Sequence, residues 1–86
     1  LGAGKNDEAI AVFKTNVERY PASANVYDSL AEAYEKKGQL DLAKPLYEKA
    51  YTLGKKNNDP NVGIYKANFE RLSEKTKQGD PAAKKQ

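Results

Sequence analysis

Asp28 and Glu32 stand four residues apart, a spacing that places two carboxylates one turn apart on a helical face. Such a pair could start a cation site or serve acid–base chemistry, but either role needs companions. A metal site wants further carboxylates or imidazoles at fixed spacing, and the 86-residue chain holds no histidine and no cysteine. The same absences remove thiolate chemistry and the usual nucleophile–base pairs. Ser23, Ser29 and Ser73 have no imidazole to activate them and no glycine-flanked nucleophile turn around them. They are expected as caps or surface hydroxyls. The sequence therefore predicts no catalytic, cofactor or metal site. Asp28 and Glu32 are expected to form a solvated face or to pair with Lys66.

Composition narrows the partners. With 15 basic and 12 acidic residues the net charge is only +3, and the lysines are interleaved with acids rather than gathered in a stripe. A nucleic acid partner is not expected. No apolar run approaches the length of a membrane span, and no basic-then-apolar leader opens the chain. The lack of cysteine leaves the redox compartment open. A start at Leu1 rather than methionine suggests a processed chain or a piece of a longer one.

The elements that position these residues follow from an internal period of 34. Gly4 maps onto Gly38, Asp7 onto Asp41, Ala9 onto Ala43, Val12 onto Leu46, Phe13 onto Tyr47 and Val17 onto Tyr51, without a gap. Between the copies Tyr27, Leu30, Ala31 and Tyr34 share one helical face. Helices are predicted at about 6–20, 23–37, 40–54 and 60–77. Gly38 is expected to stop the second helix, and Gly4 to stop a helix of which Leu1 to Ala3 are the stub. Pro21 ends the first helix and Ser23 is a candidate N-cap. Pro45 predicts a bend or a late start in the third helix, and Asp59 with Pro60 marks the start of the fourth.

The set Tyr27, Leu30, Ala31, Tyr34, Ala43, Tyr47 and Ala50 resembles the tetratricopeptide repeat, with Tyr27 where the family prefers Trp and Lys55 in place of the closing Pro. The resemblance implies an all-α fold of antiparallel helix pairs forming a short right-handed solenoid. It divides the chain into a half repeat at 1–22, a full repeat at 23–58, a cap helix at 59–77 and a disordered tail at 78–86. The fourth helix leaves the register: in its stripe Val62, Tyr65, Phe69 and Leu72, bulky Phe69 stands where a repeat keeps a small residue, as suits a cap. Lys84 and Lys85 in the tail offer at most a weak attraction to acidic surfaces.

Function in this family is interaction with protein or peptide, and the resemblance places Asn25, Asp28, Ser29 and Glu32, with Lys66 of the last helix, as candidate groove contacts. Ser29 stands where some members use Asn to clamp a peptide's terminal carboxylate, and Asp28 and Glu32 would repel that group, which excludes this mode. Of the six tyrosines, Tyr27, Tyr34 and Tyr47 are expected to pack, whereas Tyr20, Tyr51 and Tyr65 could reach an edge. Ile10, Phe13 and Val17 on the first helix are expected to be left partly exposed. Another repeat, a neighbouring domain or a second copy of the chain in a homodimer would cover them.

The stretch from Asp7 to Ala50, with Phe13 to Pro21 followed by Ser23 to Leu30, also resembles the short repeat tail at the C-terminus of some bacterial serine hydrolases related to beta-lactamases and to alpha/beta-hydrolase esterases. That resemblance implies a structural appendage whose chemistry lies upstream of Leu1. No catalytic residue carries over from it.

Overall fold

The computed structural model describes residues 2–79, with side chains from 6 to 76. Among these residues it is all-α: α1 (Gly2–Arg19), α2 (Ala24–Lys37), α3 (Leu40–Lys56) and α4 (Val62–Gly79). Each helix packs on its neighbour in the chain, α1 on α2, α2 on α3 and α3 on α4. The Cα envelope measures 41 × 35 × 16 Å, so every helix keeps a solvent face.

The connections are built by backbone hydrogen bonds at residues that cannot continue a helix. After α1, the Ser23 amide donates to the Tyr20 carbonyl at 3.0 Å, and the Tyr27 hydroxyl closes the turn by donating to the Pro21 carbonyl at 2.9 Å. Ser23 occupies the N-cap position, but its side chain makes no capping bond. At the end of α2, Gly38 takes φ 89°, which lets its own amide reach Glu35 and that of Gln39 reach Tyr34. The end of α3 repeats this arrangement with Asn58 at φ 52°, where the Asp59 amide donates to Gly54 at 2.9 Å. Asparagine tolerates that conformation better than other side-chain-bearing residues. The Asn57 side chain then donates to the Ala22 carbonyl at 2.9 Å, tying the two turns together. Before α4, the Asp59 carboxylate accepts the Asn61 amide at 2.8 Å, so Asp59 and Pro60 form the turn ahead of the helix rather than its first residues.

Alanines set the helix spacing. Ala31, Ala43 and Ala50 are fully buried and Ala24 nearly so, and the large side chains Tyr47 and Leu72 fill the space beside them. This alternation of small and large lets α2 and α3 approach closely. A second cluster joins Ile10 to Leu30 and Ala33, flanked by Phe13, Val17, Tyr34 and Leu46. A third joins Ala24, Ala50 and Tyr65.

Several expectations are corrected. Gly4 does not stop a helix, because α1 runs unbroken from Gly2 and takes in residues 2 and 3 of the supposed stub, while Leu1 lies outside the described residues. The late start suggested by Pro45 does not occur either, since α3 begins at Leu40 with Pro45 inside it. The third helix, predicted to end near residue 54, runs on to Lys56, so Gly54 lies in its last turn. Residues 78 and 79, assigned to a disordered tail, continue α4, while 80–86, with Lys84 and Lys85, lie outside the described residues. Phe69 is half-buried and stacks on Tyr51 with ring centroids 6.5 Å apart. It is Tyr65 that meets the neighbouring backbone at closest range: a Cβ on Gly54 would lie 2.9 Å from Cδ2 of Tyr65. The small residue at this crossing belongs to α3 and the large one to α4. Tyr65 is thus core, whereas Tyr20 is 59% exposed.

Candidate protein-interaction surface

The solvent face of α2 follows from its burial pattern. Leu30, Ala31 and Ala33 turn inward, leaving Asn25, Glu32 and Lys36 exposed and Asp28 and Ser29 at the margins. Asn25 and Glu32 lie seven residues apart, so they share a face two turns long. Asp28 turns toward α4, where its carboxylate accepts a hydrogen bond from the Asn68 side chain at 3.0 Å. Burial pushes the Asp28 carboxyl above its ordinary value, more than that bond lowers it.

Lys66 does not join this face. The expected pair with Asp28 or Glu32 is absent because Lys66 lies about 200° around α4 from Asn68, at about 100° per residue. It is exposed and makes no ion pair among the described residues. Of the residues read from sequence as groove contacts, Asn25, Asp28, Ser29 and Glu32 are therefore grouped and Lys66 is not.

Further along the α2–α4 seam, Glu35 gathers three helices. Its carboxylate accepts two hydrogen bonds from the Arg71 guanidinium, one of them at 3.0 Å, and one from the Tyr47 hydroxyl at 2.7 Å. Lys75 stands 3.7 Å away, and Arg71 also lies over the Tyr47 ring, 5.8 Å from its centroid. The Arg71 hydrogen bonds, with those of Tyr47 and the neighbouring cations, hold the Glu35 carboxyl down at about 2. Burial and the adjacent carboxylate push the Tyr47 hydroxyl well above its usual value.

A depressed carboxyl stabilises the fold above its unfolded pKa, and that stabilisation is lost as pH falls from about 4.5 through about 2. Arg71 and Lys75 are half-exposed and screened by solvent, so the contribution is about 1–2 kcal/mol. Unfolding free energies from urea titrations of the wild type and Glu35→Gln should differ by this amount near pH ~6, and the gap should shrink markedly by pH ~2.5. An equal gap at both would remove the ion pair from the account.

A second feature lies where α1 meets α2. An open cleft of ≈ 200 Å³ is lined by Asn6, Ala9 and Phe13 of α1 and by Glu32, Ala33 and Lys36 of α2. Its floor is apolar, and its rim carries an amide, a carboxylate and an ammonium. Such a site fits an apolar side chain flanked by polar groups. The cleft adjoins the exposed face of α2 through Glu32 and Lys36. Beside it, Lys37 forms an ion pair with Asp7, which fixes the end of α2 to α1.

Of Ile10, Phe13 and Val17, expected to be left partly exposed, Phe13 and Val17 are half-buried and only Ile10 departs from that expectation. Ile10 is buried, and Phe13 and Val17 pack toward Leu30 and Ala33. The exposed apolar residue is Val12, at 58%, with the cleft side of Phe13 beside it. Ile10 and Val12 are also about 200° apart on the helix, so they cannot share a face. Among the described residues no group of three or more acidic, histidine or cysteine side chains could hold a metal ion, and no helix is long and apolar enough to cross a membrane.

Residues 24–57, which span α2, the Gly38 turn and α3, match the family model described as the tetratricopeptide repeat. No curated protein and no solved structure matches the chain. The matched segment contains the small–large core of Ala31, Ala43 and Tyr47, and also Asn25, Asp28, Ser29 and Glu32 of α2. The likeness to the tetratricopeptide repeat is thus carried by α2 and α3.

Proposed function

We propose that this chain is a protein-interaction or scaffolding module that docks a protein, a peptide or a neighbouring domain on the exposed face of α2 and the α1/α2 cleft. Tetratricopeptide repeats typically mediate protein–protein contacts, which supports the class. The observation that carries the choice of surface is a contrast between two helices built alike. Ala43 and Tyr47 of α3 are at most 1% exposed, whereas Ala9 and Phe13, their counterparts in α1, are only half-buried and line an open cleft. Val12, the counterpart of half-buried Leu46, is exposed. The sequence of α1 is that of a covered helix, and the cover lies outside residues 2–79.

In this reading residues 1–22 are a half repeat, 23–58 the full repeat and 59–77 a closing helix. The cover is a further repeat or domain of a longer polypeptide, a separate protein, or a second copy of the chain meeting Val12 and Phe13. Asn25, Asp28, Ser29 and Glu32 supply the polar contacts beside the cleft. Catalysis forms no part of this role, and the resemblance to hydrolase tails adds no residue to the surface.

The proposal is tested by immobilising the chain and comparing what wild type, Phe13→Asp and Lys36→Glu retain from extracts of cells that produce it. Lys36 is exposed, so its substitution is expected to leave the helical content unchanged. Both variants should lose the same partner by about tenfold or more, a fall of about 1.4 kcal/mol or more. Retention of one partner set by all three folded proteins would overturn the assignment of the surface.

A further inference from the structure

We draw no further inference here: the strongest candidate, the half-buried strip of α4 formed by Phe69 and Ser73, where the Ser73 hydroxyl is buried without a hydrogen-bond partner among the described residues, carries nothing because nothing in the structure shows what covers it.

Discussion

Replacing Tyr47 by alanine is expected to cost about 4 kcal/mol, enough to leave a domain of this size largely unfolded at room temperature. Tyr47 is 1% exposed and lies within the Ala31, Ala43 and Leu72 cluster, so truncation opens a cavity between α2, α3 and α4. It also removes the hydroxyl that donates to Glu35 at 2.7 Å. The two contributions separate cleanly in Tyr47→Phe, which keeps the ring and deletes only a hydrogen bond to a charged acceptor. That variant should lose about 1.5 kcal/mol. Urea unfolding followed by circular dichroism measures both. An alanine variant within about 1 kcal/mol of the phenylalanine variant would mean that the ring is not part of the core.

The second large effect is expected at Gly54. Placed in the last turn of α3, a glycine ordinarily invites substitution, because a side chain there gains up to about 1 kcal/mol of helix propensity over glycine. The Tyr65 ring reverses the sign. A Cβ would meet Cδ2 of Tyr65 at 2.9 Å and Cγ2 of Val62 at 3.3 Å, and Tyr65 is itself buried against Ala24 and Ala50. The ring therefore has little room to retreat. Gly54→Val should destabilise by about 3 kcal/mol and loosen α4 first. Combining it with Tyr65→Leu, which removes the obstructing ring edge, should recover part of that loss, so that the two changes together cost less than their sum. Strict additivity in urea midpoints would show that the α3–α4 crossing is not set by this contact.

The repeat was legible because its determinants are local or periodic. Tyr27, Leu30, Ala31 and Tyr34 declare one face of α2 by spacing alone, and the 34-residue echo from Ala9 to Ala43 and from Phe13 to Tyr47 ties α1 to α3. Gly38 was legible for the same reason, lying between two periodic runs. Gly4 carries a similar local signature but sits inside α1, because a lone glycine costs a helix only about 1 kcal/mol and its neighbours outweigh that. What spacing cannot supply is the partner across an interface. The preference of Asp28 for Asn68 over Lys66 depends on how α4 is rotated against α2. The Glu35–Arg71–Tyr47 cluster joins residues up to 36 positions apart, although Glu35, seven residues after Asp28 on the same face, was within reach of a periodicity argument. The cleft was hidden for a related reason: Phe13 and Lys36 become neighbours only once α1 is laid against α2.

The uncovered face of α1 is the centre of this account, and site-specific photo-crosslinking in cells that produce the protein tests it most directly. A photoreactive side chain would replace Asn6 at the cleft rim in one variant and Thr52, exposed on α3, in another, with the intact chain as background. The account predicts a discrete adduct from position 6, whether to a partner, to a second copy or within a longer polypeptide, and none of comparable yield from position 52. Equal labelling at the two positions, or an adduct from position 52 alone, would contradict it.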